Sequence, residues 1–150
     1  MSFNKDFKIV EGWLASRGWH VYSYTDATDA TYWHLKQIHI DSRKHSEKRL
    51  YTLLHECGHV LVDDNRDRIH SLSRNAHTDA PQRASREKRI AILSEEYEAW
   101  KRGERLAKRL DIKINTKKFD AHRATCLMSY TNWASDFYTH ALSAGLLDDI

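Results

Sequence analysis

Apolar residues recur at spacings of three and four in four stretches of this chain, and this period predicts amphipathic helices. The stretches are residues 4–17, 46–63, 85–110 and 119–142. Gly18 follows the first stretch directly, where a glycine is a suitable helix end. The predicted inner faces of the four helices, in chain order, are Phe7, Val10, Trp13 and Leu14; Leu50, Leu53, Leu54, Cys57, Val60 and Leu61; Ile90, Leu93, Tyr97, Trp100 and Leu106; and Cys126, Leu127, Tyr130, Trp133 and Phe137.

Two segments near the N-terminus are instead rich in β-branched and aromatic residues, which predicts strands. They cover residues 19–25 and 32–40, with a turn at 26–29 between them. Because a short turn joins them, we expect the two strands to pair antiparallel. Ser46 is the expected N-cap of the helix that follows. The pattern as a whole predicts an α+β fold with about four helices and a short N-terminal β-sheet.

The chain of 150 residues has the length of one domain, so we expect a single domain over residues 1–150. Residues 64–83 interrupt the periodic pattern, because they are polar and contain the one proline, Pro81. This composition predicts a long surface loop. Loops of this length are uncommon unless they have a function.

Composition limits the environment in which the protein works. Hydrophobic residues make up 41% of the chain and charged residues 30%, a balance that is typical of globular proteins with a core. No segment approaches the roughly 20 apolar residues that span a bilayer, and Lys5, Asp6 and Lys8 interrupt any secretory signal. Two cysteines are too few for a disulfide framework. These features predict a cytoplasmic protein with no membrane partner.

The run His55-Glu56-Cys57-Gly58-His59 lies within the second predicted helix. A spacing of four places both imidazoles on one helix face, where two nitrogens can ligate a single zinc ion. Glu56 then projects beside the metal, where it can take a proton from a zinc-bound water and donate it to a leaving amine. Gly58 has no side chain, so another element can approach the helix closely. The pattern predicts a Zn²⁺ site with His55 and His59 as ligands and Glu56 as catalytic base.

A catalytic zinc ion needs a third protein ligand and an open fourth position. An extended three-histidine motif would need Gly at position 62 and His at position 65, but the chain has Val62 and Asn65. The acidic run of the third predicted helix is the best remaining source. We favour Glu96 because it borders the predicted buried face of that helix, whereas Glu95 and Glu98 are expected to point further round.

Several other residues are candidates for roles in the same site. Three histidines are alternative metal ligands, although each is more often a surface residue: His70, His77 and His122. Cleavage of a peptide bond also needs a donor to the developing oxyanion besides the metal. The candidates for that role are Tyr97, His122, Tyr130 and His140.

A helix with HECGH, preceded by strands and followed by an acidic helix, resembles the zincins, and within them the gluzincin type with a Glu as third ligand. The segment EEYEAWKRGERLAKRL is similar to a helix of small phage-encoded or prophage-encoded zincin-like proteins. It also resembles the ExEA-type helix of ImmA/IrrE-like metallopeptidases, which cut repressor proteins. In such helices the ligand Glu lies three residues before the Ala, which is the position of Glu96. Gluzincins often carry Asp or Asn four residues after that Glu, as a hydrogen-bond partner of a ligand at the metal. Trp100 occupies this position here, so such a partner must come from elsewhere in the chain.

The function that these features predict is zinc-dependent hydrolysis of peptide bonds in a protein or peptide substrate. The strand at residues 32–40 would lie along the edge of the site, where an extended peptide can add by main-chain hydrogen bonds. An alternative is a zinc-stabilised module of a phage or mobile element that binds and inhibits a partner without proteolysis. A third hypothesis is contact with nucleic acid through the basic residues at 83–89 and 101–118, although a solvated, charge-paired helix face has the same composition and the net charge is only +3.

Overall fold

The computed structural model describes residues 3–65 and 84–136. Within these residues it has four helices and one three-stranded sheet, which confirms the predicted α+β class. The elements in chain order are α1 (Phe3–Ala15), β1 (His20–Tyr24), β2 (Ala30–Tyr32), a 3₁₀ turn (Trp33–Leu35), β3 (Gln37–Asp41), α2 (Ser46–Asp64), α3 (Arg86–Arg109) and α4 (Thr116–Ser135). Almost all of the predicted loop at 64–83 and the predicted end of the last helix lie outside the described residues. None of the helices in the described part of the chain is both long and apolar enough to cross a membrane.

The helices begin where side chains can cap them. Ser85 and Asn115 precede α3 and α4, and the side chain of each accepts a hydrogen bond from a backbone N–H in the first turn. The N-cap of α2 is His45 rather than the predicted Ser46, which is the first helical residue. His45 takes this role because its Nδ1 accepts from the backbone N–H of Glu47 at 3.4 Å. The predicted helix limits are otherwise close to the observed ones.

The predicted pairing of the strands is wrong in two respects. Residues 32–40 do not form one strand, because the 3₁₀ turn and Lys36, with a left-handed φ of 51°, separate β2 from β3. The sheet order is β1-β3-β2, with β1 parallel and β2 antiparallel to β3. The central position falls to β3 because its alternate residues Ile38 and Ile40 are fully buried, whereas β1 is largely exposed and β2 has no fully buried residue.

Helix α2 lies at the centre of the fold and contacts α1, α3, α4, β2 and β3. Residues 50–60 are all buried. Most of them are apolar and belong to the main core, together with α1, β3 and the inner side of α3. The buried polar residues of this stretch are Thr52, His55, Glu56 and His59. Because buried polar groups need partners, these residues mark the part of α2 around which other polar side chains gather.

Two glycines bring the backbones of α2 and α3 into contact. A Cβ added to Gly58 on α2 would overlap the carbonyl group of Ala99 on α3, at 2.5 Å from its carbon. A Cβ added to Gly103 on α3 would lie 2.8 Å from the carbonyl carbon of Leu54 on α2. Real Cβ atoms essentially never approach closer than 3.0 Å, so the crossing of these helices requires glycine at both positions.

The face of α3 that packs against α2 differs from the predicted one. Trp100 and Leu106 are buried as predicted, but Ile90 and Tyr97 are 61% and 53% exposed. The buried residues of α3 are Arg89, Ala91, Ile92, Glu95, Glu96, Ala99, Trp100, Gly103, Leu106 and Ala107. A close helix crossing requires small residues at the contact, so the larger Ile90 and Tyr97 lie on the adjacent side, beside a shallow groove near α4.

Substitution of Gly58 by Ala tests the importance of this crossing. We expect Gly58→Ala to lower the free energy of unfolding by at least about 1–3 kcal/mol, because the added methyl group meets backbone that cannot move independently. Gly12→Ala is the matched control, since a Cβ at Gly12 in α1 meets nothing within 4 Å. That change should leave stability unchanged or raise it by about 0.5–1 kcal/mol. Urea unfolding followed by circular dichroism measures both, and equal stabilities would contradict the role of the crossing.

Candidate metal centre

Three side chains converge between α2 and α3: His55 and His59 from α2, and Glu96 from α3. The Nε2 atoms of the two histidines lie 3.2 Å apart. Glu96 Oε2 lies 3.2 Å from His55 Nε2, and Glu96 Oε1 lies 3.4 Å from His59 Nε2. All three side chains are buried, and one ligand atom from each lies within 4.8 Å of the others. The structure thus brings together the three residues that were predicted as metal ligands.

This group has the donor set and spacing of a catalytic zinc site. Two histidines and one glutamate are a known three-ligand set for catalytic zinc. Two nitrogens at about 2.0–2.1 Å from one tetrahedral ion would lie roughly 3.3 Å apart, close to the observed 3.2 Å between His55 and His59. Glu96 Oε2 is buried and, although it lies 3.2 Å from His55 Nε2, it accepts no hydrogen bond of suitable geometry in the described structure, so that a cation would satisfy it more fully. The residues therefore fit a divalent cation.

The electrostatics of the group also favour a positive charge between the ligands. Burial opposes the charged form of His59, yet the Glu96 charge and hydrogen bonds to Glu95 and Glu96 raise the pKa of His59 well above its usual value. Burial likewise opposes the charge on Glu96, but the adjacent His59 and His55 hold the pKa of Glu96 well below its usual range. The carboxylate of Glu96 is thus ionised and surrounded by groups that satisfy a negative charge, as a metal ligand must be.

Glu95 occupies a position that the sequence interpretation did not predict. It was expected to point away from the site, but it is 2% exposed, and its Oε1 lies 3.2 Å from His59 Nδ1. The other histidine, His55, is stacked against Trp100, with ring centroids 4.3 Å apart and an interplanar angle of 21°. Glu95 lies one helical turn before Ala99, so both residues are on the same face of α3. Because small residues face α2, this spacing is the signal in the sequence that would have identified Glu95 as buried.

Glu56, the predicted base, lies in the same site and is held by the sheet. The hydroxyl group of Thr31 in β2 donates a hydrogen bond to Glu56 Oε2 at 2.7 Å. Glu56 is buried against protein on most sides but borders a cavity of about 510 Å³. Residues 29–35, the HExxH side chains, Glu95, Glu96 and Tyr130 line this cavity. A substrate could therefore reach the three candidate ligands and the base from one side.

Most of the alternative site residues lie elsewhere. His122 is near Thr52, with 3.5 Å between Nε2 and Oγ1, and it is not part of the group of three found among the described residues. Glu98 accepts a hydrogen bond from Arg102 at 3.0 Å on the outer side of α3. Tyr97 is exposed, whereas Tyr130 lines the cavity, and burial raises the pKa of its hydroxyl group well above the usual value. The remaining candidates lie outside the described residues: His70, His77 and His140.

Comparison with known proteins yields one family. Residues 20–99 match the model of a peptidase family described as the IrrE N-terminal-like domain. The match spans 80 of the 150 residues and includes the three strands, α2 and the part of α3 that carries Glu95 and Glu96. No significant match to a curated protein or to a solved structure accompanies it.

The metal content of purified variants tests the candidate ligands. We expect about one zinc ion per chain, bound by the three-ligand site, and loss of that ion in both His55→Ala and Glu96→Ala. His122→Ala is the matched control, because it removes another partly buried histidine that lies outside the group. Elemental mass spectrometry after removal of free metal gives the stoichiometry, and circular dichroism shows whether each variant is folded. Zinc retained by a folded Glu96→Ala variant would place the third ligand elsewhere.

Proposed function

The chain belongs to the IrrE N-terminal-like family of small metallopeptidases, and from this premise we propose that residues 1–150 form one zinc-dependent domain that hydrolyses peptide bonds in a protein substrate. The observation that carries the proposal is the placement of a buried His-His-Glu group and the carboxylate of Glu56 in one open cavity. A site that only binds metal has no need of an additional carboxylate beside the ligands. The two free cysteines favour the cytoplasm as the place of action.

The residues of the site would divide the chemistry between them. His55, His59 and Glu96 would hold the zinc ion, which would polarise the scissile carbonyl group and lower the pKa of a water molecule at its open position. Glu56 takes a proton from the attacking water as the new C–O bond forms. The same carboxyl group then gives that proton to the nitrogen of the leaving amine as the C–N bond breaks. The products are a carboxylic acid, which retains the second proton of the water until it ionises in solution, and an amine, and Glu56 returns to its starting form.

Thr31 prepares Glu56 for this role. Its hydroxyl group donates to Oε2 at 2.7 Å, which fixes the side-chain rotamer and leaves Oε1 as the oxygen that accepts the proton. Thr31 lies on the inner face of β2, opposite Ile38 in the register of the sheet. The base is therefore positioned by the sheet, whereas the candidate metal ligands are positioned by the two crossing helices.

The edge of the sheet supports an extended peptide as substrate. β2 is an edge strand, since β3 is its one neighbour in the described sheet, and Ala30, Thr31 and Tyr32 line the cavity. An extended peptide that pairs with β2 by main-chain hydrogen bonds would pass directly over the HExxH side chains. Successive side chains of the bound peptide would point alternately into and away from the cavity. The cavity would then recognise the amino-acid sequence of the substrate through every second side chain.

The two alternative functions have less support. A module that binds a partner without proteolysis would not need Glu56 to be buried, held by Thr31 and open to the cavity. A nucleic-acid surface would need unpaired basic residues, but Lys101, Arg102 and Lys108 on α3 pair with carboxylates of the same helix. These pairs favour a solvated, charge-paired helix face.

The variant Glu56→Gln tests the proposed base. We expect it to bind zinc as the native chain does, because Glu56 is not a ligand, and to lose cleavage by roughly 10²–10⁴-fold, the usual contribution of a general base. Incubation with a library of unstructured peptides, followed by mass spectrometry of the fragments, measures cleavage. Glu104→Gln, a change on the outer side of α3, is the control. Cleavage by Glu56→Gln at the native rate would refute the mechanism.

Replacement of Thr31 tests the link between the sheet and the base. Thr31→Val keeps the shape of the side chain but removes the donor to Glu56, and we expect kcat to fall by about tenfold, the equivalent of one hydrogen bond of about 1–1.5 kcal/mol. Thr31→Ser keeps the hydroxyl group and should retain most of the activity. Both variants should bind zinc normally. If Thr31→Val and Thr31→Ser have the same kcat, the hydrogen bond has no role in catalysis.

A further inference from the structure

The two ring nitrogens of His59 have different surroundings. Nε2 faces the candidate metal site, at 3.2 Å from His55 Nε2 and 3.4 Å from Glu96 Oε1. Nδ1 faces the opposite direction and lies 3.2 Å from Glu95 Oε1. The side chain of Glu95 is almost fully buried, and it leaves α3 directly before Glu96. The imidazole is thus enclosed between two consecutive carboxylates of one helix.

We propose that Glu95 is a positioning residue that selects the tautomer of His59 and thereby prepares Nε2 to bind the metal; this inference rests on the proposed zinc site. A neutral imidazole has one N–H donor and one acceptor nitrogen. An ionised carboxylate can only accept, so a hydrogen bond to Glu95 places the proton on Nδ1. The lone pair is then on Nε2, which faces Glu96 and His55. A carboxylate in this position also makes the ligand nitrogen more basic.

The other histidine of the site is held in a different way. Within the described structure, His55 Nδ1 is buried and has no hydrogen-bond partner. Its ring is held by stacking on Trp100, the residue that stands where gluzincins often carry Asp or Asn. Packing against an indole fixes the plane of a ring but does not distinguish its two nitrogens. Of the two histidines, His59 is therefore the one whose Nδ1, the nitrogen that faces away from the candidate metal site, contacts a carboxylate.

The burial of Glu95 itself supports this role. An ionised carboxylate in a protein interior costs several kcal/mol unless a partner compensates, and a second one adjacent to it adds like-charge repulsion. Glu95 and Glu96 are nevertheless among the most buried side chains of the molecule. Their burial is consistent with a site that carries positive charge, in which each carboxylate contacts one nitrogen of His59.

Zinc affinity measured by competition with a chromophoric chelator tests the proposal without any need for a substrate. We expect Glu95→Ala to weaken zinc binding by about 10–100-fold, the usual effect of losing such a partner. Glu95→Gln should lose distinctly less, because the amide oxygen can still accept from Nδ1. The matched control is Glu98→Gln, which alters a carboxylate of the same helix that pairs with Lys101 and Arg102.

A spectroscopic measurement separates tautomer selection from a merely structural effect. In ¹⁵N-histidine NMR spectra of the zinc-bound chain, we expect His59 to carry its proton on Nδ1, and we expect that signal to shift or broaden in Glu95→Ala. If Glu95→Ala does not fold, the zinc affinities of Glu95→Gln and Glu98→Gln are compared. Weaker zinc binding by Glu95→Gln, with unchanged binding by Glu98→Gln, supports the positioning role of Glu95.

Two outcomes would overturn the inference, and they are distinguishable. A native chain that binds zinc, together with folded Glu95 variants that bind it equally tightly, refutes the role of Glu95 and leaves the proposed function intact. A native chain that binds no zinc refutes the proposed function and this inference together.

Discussion

The contact between the backbones of α2 and α3 is the constraint on which the candidate site depends. Gly58 precedes His59 directly, and Ala99 lies one helical turn after Glu95 and Glu96. The close approach of the two backbones at Gly58 and Ala99, which leaves no room for a Cβ at position 58, therefore also sets the distance from His59 to both carboxylates. With any larger residue at position 58 the helices would separate, and contacts of 3.2–3.4 Å between the candidate ligands would be lost. The close contact of the backbones at Gly58 thus determines the geometry of the site at the adjacent His59.

A second consequence of this crossing is a concentration of charge in the protein interior. His55 and His59 lie between carboxylates from α3 and beside Glu56, and all of these side chains are buried. Such a group is stable only if the charges compensate each other, which the raised pKa of His59 and the lowered pKa of Glu96 reflect. A divalent cation would provide the same compensation more fully. Metal binding and the stability of the α2–α3 pair are therefore expected to be coupled.

The sheet contributes the hydroxyl group that holds Glu56, the proposed base on α2, and an edge strand beside the cavity, whereas the candidate ligands come from the helices. β3 forms the buried centre, so that β2 remains at the edge with one face towards α2. Thr31 on that face contacts Glu56, while Ala30 and Tyr32 of the same strand also line the cavity. A peptide bound to β2 would thus lie beside the group that orients the base. Substrate binding and proton transfer would depend on the same three-residue strand.

Local features of the chain were predictable because they depend on residues within about one helical turn. The four helices, the spacing of His55 and His59, and the position of Glu56 all follow from the helical period. Glu96 is favoured because it borders the predicted buried face of its helix and because it matches the ExEA-type helix of ImmA/IrrE-like proteins, and the structure places it beside His55 and His59. The sequence by itself thus determined the class of fold and the three side chains that meet at the centre.

The tertiary structure decided which partners those side chains have. Glu95 and His59 are 36 residues apart, and Thr31 and Glu56 are 25 residues apart. No local pattern encodes such contacts, because they arise when whole elements pack. The same reason explains two of the differences from prediction. The order and direction of the strands depend on which strand is most buried, and the inner face of α3 depends on how closely α2 approaches. Large apolar residues indicate the buried face of a helix only where the neighbouring helix is far enough away to leave room for them. Here small residues form the contact between α2 and α3, so Glu95 and Glu96 are buried rather than Ile90 and Tyr97.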